Sequence, residues 1–288
     1  MSVSANGAST RVMWTARAVW AAVGVLAPWD AAADGRSAAV SAVIRSWGWT
    51  SWLTVMVVLF VPAALSLTLV RILVPMVALS AFLAWQEFPA LLAGAMLGIL
   101  LHREVADALV QGSAYGAETR FALRTPVPYL APAVLVWSAL VSATVGGSLL
   151  LASGNLTAGI PVTAAGVLLA WKVPVRLHRL SRRWLVVVPA GLVVHDHLVL
   201  GETMMVRRNH LGAVTLEERA GDEADLTGAV PGRRVRIAMT QPDKVILSPI
   251  TMRTLGTTEA LHVTAFAVAP LRAAAAVSAV EAALSPDR

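Results

Sequence analysis

The chain has 288 residues, 57% of them hydrophobic and only 14% charged, with a mean hydropathy of +0.69. Soluble domains carry roughly 25% charge, so this balance excludes an ordinary soluble enzyme, and the wealth of apolar residues excludes intrinsic disorder. Cysteine is absent, which removes disulfides, thiolate zinc sites, iron–sulfur clusters and cysteine nucleophiles together.

The charge is unevenly spread. Residues 1–171 hold 8 basic and 6 acidic residues, whereas 172–288 hold 15 and 11. Charge density rises nearly threefold at Lys172, and the expected boundary lies there. The organisation this predicts is a transmembrane helical domain over 1–171, a basic juxtamembrane linker over 172–183 and a water-exposed domain over 184–288.

A span needs roughly 20 apolar residues. In chain order, 12–28 is a weak candidate interrupted by Arg17, and 49–70 is a clear one closed by Arg71. Segment 72–101 is apolar except for Gln86 and Glu87. As one helix it would measure about 45 Å, so two short helices turning at 86–89, or a re-entrant pair, fit better. Loop 102–126 reads as partly helical, with Val105, Ala108 and Leu109 on one face. Segments 127–152 and 157–171 form an antiparallel hairpin across a short turn, giving four, five or six crossings in all. Gly146, Gly147 and Gly154 in that hairpin are the small residues that helix packing uses.

With six crossings, Arg11, Arg71, loop 102–126 and the segment from Lys172 share one side. Lys172, Arg176, Arg179, Arg182 and Arg183 fall in that segment without an acid, so the positive-inside rule makes this side cytoplasmic. The expected location is the inner membrane, multi-pass, with a cytoplasmic C-terminus. Trp29, Trp47, Trp49, Trp52 and Trp85 then form an outer aromatic belt, and Trp14, Trp171 and Trp184 an inner one.

From Trp184 the period becomes that of strands: 184–188, 192–196, 203–207, 213–217, 234–239, 244–248 and 262–268, followed by a helix over 271–284. Ala273, Val277, Val280 and Leu284 mark one face of that helix. The expected class is a polytopic α-helical membrane domain followed by a small α+β domain, its antiparallel strands closed by a C-terminal helix. The run Arg182-Arg183-Trp184-Leu185-Val186-Val187-Val188-Pro189-Ala190-Gly191-Leu192-Val193-Val194, with 263–270 and the final helix, resembles the bacterial pleckstrin-homology-like (PH-like) domains. Some of these follow transmembrane hairpins in actinobacterial and other membrane proteins, and heavy alanine, valine and arginine usage resembles that of high-GC actinobacterial chains.

Few residues offer chemistry. His195 and His197 share a strand face and could begin a metal site, but a third ligand such as His210 or His262 would be needed; the plain alternative is a polar strand end. Glu87 is the only acid between Asp34 and Glu104, a candidate intramembrane polar site with Arg71; the plain alternatives are an interfacial turn for Glu87 and snorkelling for Arg71 and Arg17. Arg233, Arg234 and Arg236 form a candidate anion patch, against a solvated strand edge. No phosphate loop, zincin pair or nucleophile elbow occurs. The expectation is a non-enzymatic membrane protein without a cofactor. Its cytoplasmic domain would contact a protein partner or anionic lipid through Arg176, Arg179, Arg182, Arg183, Arg233, Arg234 and Arg236. The alternative is a transporter or channel subunit built on 72–101. Nucleic acid is not expected as a partner, because the basic surplus sits beside the membrane; a homo-oligomer stays open.

Overall fold

The computed structural model describes residues 2–83, 87–218, 221, 223–255 and 261–284. It divides into a helical unit, Met1–Gly112 with Ala133–His178, and a sheet-containing unit, Ser113–Pro132 with Arg179–Arg288.

The helical unit starts with α1 (Ser2–Leu26), which takes in all but the last two residues of the weak segment 12–28. Ala27 then takes a left-handed conformation (φ 41°), and Pro28 opens the short α2 (Pro28–Ala33), its fixed φ suiting a first helical position. Helix α3 (Ala38–Phe60) follows, with the Ser37 hydroxyl accepting from the Val40 N–H at 3.4 Å. The expected span 49–70 is therefore two helices. Val61–Ala63 interrupt it, where Pro62 has no N–H to continue the ladder, and α4 (Ala64–Leu83) restarts.

Next come α5 (Glu87–Leu100) and, bent from it by 65°, α6 (Arg103–Gln111), which buries Val105 and Leu109 as the loop pattern predicts. The hairpin is α7 (Val127–Val141), a π-helical turn (Ser142–Gly146), α8 (Gly147–Ala152) and α9 (Leu156–Ser181). A Cβ on Gly147 would stand 2.8 Å from the Thr163 backbone nitrogen, so glycine is what lets the two arms approach. Among the described residues five segments are long and apolar enough to cross a membrane, or six if α5–α6 counts as one. Residues 172–181, expected as a linker, continue α9 as helix.

The expected outer tryptophan belt is different in kind. Trp47, Trp49 and Trp52 lie along the middle of α3 because that helix begins at Ala38, not near residue 49. Arg45 and the serines around it lower the local hydropathy without breaking the helix, since Arg45 pairs with Asp30 (3.1 Å) and Asp34 (3.6 Å). The indoles hold helices together. Trp20 and Trp52 each donate Nε1–H to the other's backbone carbonyl at 2.9 Å. Trp49 stands edge-on to Trp29 and Trp52, with centroids 5.0 and 5.7 Å away. Trp85 lies outside the described residues.

The sheet unit contains two four-stranded sheets. The first has the order β1 (Thr119–Ala122), β2 (Arg183–Val188), β3 (Gly191–Asp196), β4 (Met204–Arg207), all antiparallel. In the second, β5 (Leu211–Glu217), β7 (Arg234–Val245) and β8 (Leu261–Val268) run antiparallel, and β6 (Ala224–Asp225) adds in parallel to β8. The strands expected at 234–239 and 244–248 are one strand, β7, with an irregular register between Ala238 and Asp243. Strand β1 comes from the segment read as loop 102–126, so the hairpin 127–181 is inserted in sequence between two paired strands.

Leu185, Leu192, Val235, Ile237 and Phe266 fill a common core between the sheets. Helix α10 (Pro249–Leu255) lies between β7 and β8, and the final helix α11 (Ala273–Leu284) covers the core. The buried centre of its face is Ala276 and Val280, with Ala273, Val277 and Leu284 packed at the margins.

Candidate functional site

The seven arginines expected to make a contact surface fall into two groups. Alternation along β2 turns Arg183 inward with Leu185 and Val187, and alternation along β3 turns Asp196 inward with Leu192 and Val194. The register sets Arg183 directly opposite Asp196. The guanidinium grips the carboxylate bidentately, Nε to Oδ1 at 2.7 Å and Nη2 to Oδ2 at 2.6 Å, and Nη1 donates to the Arg124 carbonyl at 2.5 Å. Arg183 is 2% exposed. It is therefore a core ion pair and not part of a contact surface.

Arg234 is likewise buried, 8% exposed, with Nη1 3.3 Å from Asp225. Arg236 lies between Glu217 (3.8 Å) and Glu223 (3.7 Å), and the exposed Arg233 meets Glu218 at 3.3 Å. The candidate anion patch 233–236 is thus a set of cross-strand ion pairs, its charge already matched. The acidic turn around it includes Ala220 and Asp222, which lie outside the described residues.

Arg176, Arg179 and Arg182 are the other group. All three are exposed, at the end of α9 and just beyond it. Among the described residues none of them has an ion pair. Lys172 sits over the Trp171 ring at 3.9 Å.

Within the sheet unit, the face of the first sheet opposite Leu185 and Leu192 carries a stack. Arg120 lies 5.3 Å above the Trp184 ring, and Trp184 stacks on His195 with centroids 4.9 Å apart and planes at 12°. His195 meets His197 edge-on at 4.3 Å, and its Nδ1 lies 3.1 Å from the Thr203 hydroxyl. Burial first, then the neighbouring His197 and Arg182, hold the His195 pKa down at about 4. The ring is neutral at ordinary pH and serves as a stacking surface. The third ligand that a metal site needs is not brought to it: among the described residues no group of three or more His, Asp or Glu could hold a metal.

The intramembrane candidates separate as well. Glu87 is exposed in the first turn of α5, where a carboxylate suits the helix N-terminus. Arg71 is half-buried within α4, about 18 Å of helix before Leu83. The structure brings no Arg71–Glu87 pair together, and Gln86 lies outside the described residues. Arg17, expected to snorkel, instead caps α3. Its Nε and Nη2 donate to the Leu59 carbonyl at 3.2 and 2.9 Å, between the rings of Trp14 and Phe60. The last carbonyls of a helix lack partners within it, and Arg17 supplies one.

Sequence reasoning missed Asp196 as the partner of Arg183, though both sit in register with core valines and leucines. It also missed Arg124, which braces the turn before β7 by donating to the Pro231 carbonyl at 2.6 Å and to that of Arg233. Comparison with models of known protein families, with curated proteins and with solved structures returns no match to this chain.

Proposed function

We propose that this is a multi-pass membrane protein whose sheet unit lies on the cytoplasmic side and acts as a non-enzymatic, PH-like contact domain for the anionic inner leaflet. The single observation that carries the reading is the division among the arginines. Arg183, Arg233, Arg234 and Arg236 are matched by acids within the fold, while Arg176, Arg179 and Arg182 stay exposed with no ion pair among the described residues. A basic residue near an anionic surface is worth about 1 kcal/mol, and the attraction fades within a Debye length of about 8 Å at physiological salt. Residues at the end of an apolar helix satisfy that distance condition by position. The two largely antiparallel sheets and the closing α11 support the PH-like reading, and the basic run supports the cytoplasmic orientation.

The test uses the full-length protein in nanodiscs. Amide exchange over 179–188 should be slower in anionic than in zwitterionic lipid, and the difference should vanish as salt rises. Equal exchange in the two lipids would sink the lipid-contact reading and leave a protein partner as the better account.

A further inference from the structure

Within the helical unit, α2, α3, α4 and α8 enclose a half-open cavity of about 700 Å³, in the range of small-molecule sites. Its inner wall is apolar, formed by Ile44, Met76, Val77, Val145 and Leu149. Two features at this wall are unusual. The π-helical turn Ser142–Gly146 contributes Val145 and Gly146 to it, and such turns concentrate at functional sites. Trp29, only 6% exposed, also lines the cavity and keeps a buried indole Nε1–H with no acceptor among the described residues. A buried donor left unmade is costly. Gly48 seats that indole, since any Cβ there would run into the ring.

The rim is cationic. Arg36 lines the cavity and is exposed, with Nε donating to the Ala32 carbonyl at 2.8 Å. The nearby acids Asp30 and Asp34 are both taken by Arg45, so Arg36 has no counter-ion among the described residues.

We infer that this cavity binds one anionic amphiphile, with its hydrocarbon chain against Val77, Val145 and Leu149 and its oxyanion head at Arg36. An oxygen near the head would offer the acceptor that the Trp29 N–H lacks. The site belongs to the helical unit alone and does not rest on the role proposed for the sheet unit.

Photo-crosslinking of the full-length protein in zwitterionic nanodiscs tests it, with diazirine-bearing palmitic acid in one arm, diazirine-bearing phosphatidylglycerol in a second and a diazirine-bearing fatty alcohol in a third. At least one anionic probe should label peptides lining the cavity saturably and be competed by its unlabelled form; the arm that does so identifies the source. The fatty alcohol should label poorly. Arg36→Gln, a surface change that leaves the bundle intact, should weaken labelling about tenfold, the loss of one charge-assisted contact. Val145→Trp should abolish it, whereas Val57→Trp on the exposed side of α3 should not. Labelling that fails to saturate, that ignores Arg36→Gln, or that is equal for the alcohol would show ordinary surrounding lipid and overturn the inference.

Discussion

The helical unit and the sheet unit satisfy their buried donors in opposite ways. In the sheet unit a guanidinium finds a carboxylate: Arg183 with Asp196, Arg234 with Asp225, Arg236 with Glu217 and Glu223. In the helical unit several donors instead find backbone carbonyls, although the half-exposed Arg45 pairs with Asp30 and Asp34 and Trp47 donates to the Ser148 hydroxyl. Arg17 donates to Leu59, Trp20 and Trp52 to one another, and Trp137 to Ile72 at 2.9 Å. Leu59 lies in the last turn of α3, where carbonyls lack partners within the helix, and the carbonyls of Trp20, Trp52 and Ile72 have a second lone pair to offer, so acceptors exist without acids. Apolar helices that carry almost no acid can still hold arginine and tryptophan, because helix-end carbonyls and the second lone pair of helical carbonyls accept their N–H groups. Of the seven arginines first read as one contact surface, four are matched by acids and three, Arg176, Arg179 and Arg182, have no ion pair among the described residues.

The largest effect should come from breaking the sheet unit's pair. Asp196→Ala strands a buried guanidinium and should destabilise that unit by about 3–5 kcal/mol, read by chemical unfolding of the full-length protein. Replacing both partners, Arg183→Met with Asp196→Leu, should recover most of the loss. Recovery failing would mean the pair fixes the strand register and not only the balance of charge.

In the helical unit the corresponding change is Arg17→Leu, which leaves the Leu59 carbonyl short of a partner. The expected cost is about 1–3 kcal/mol, seen as a lower thermal midpoint in detergent. Trp52→Phe removes one of two reciprocal hydrogen bonds and should cost about 1 kcal/mol. If either matched the loss from Asp196→Ala, carbonyl and carboxylate partners would be equivalent and the contrast between the units would fall.

A pH series sharpens the contrast further. Because the folded His195 pKa is held at about 4, below the ordinary 6.5 or so, the unfolded chain binds the extra proton between those values. The stability of the sheet unit should be unaffected above about pH 6.5 and fall as pH drops towards 4. The ring is only half-buried, so solvent screening reduces the effect. His195→Gln should flatten this part of the profile, and an unchanged slope would assign the acid sensitivity elsewhere.

Much of this fold was legible in the residues. Strands β2, β3, β4, β5 and β8 and the closing helix announced themselves by period, because each buries one face. Strand β1 did not: Thr119-Arg120-Phe121-Ala122 is four residues long and pairs with β2 across the whole hairpin, a contact no local pattern encodes. The start of α3 was hidden because hydropathy averages cannot see that Arg45 is paired with Asp30 and Asp34. Arg183 was read with its neighbours as one basic run, yet it alternates with Leu185 and Val187, which marks the core face. The cavity beside Trp29 was not legible, since its walls come from four helices far apart in sequence.

The smallest stability effect should be that of Arg179→Glu with Arg182→Glu, within about 0.5 kcal/mol, as for exposed surface changes generally. Its effect on membrane contact should be the largest of any pair, and here the account is tested most directly. The chain has no cysteine, so Glu202→Cys gives one labelling position in the sheet unit. Energy transfer from a donor there to a headgroup acceptor, in nanodiscs, should be higher with anionic than with zwitterionic lipid and should converge with rising salt. In Arg179→Glu/Arg182→Glu the lipid difference should be lost, while in Arg233→Glu/Arg236→Glu it should persist. Transfer that ignored lipid charge, or that responded only to the Arg233 and Arg236 changes, would contradict the division between spent and available arginines.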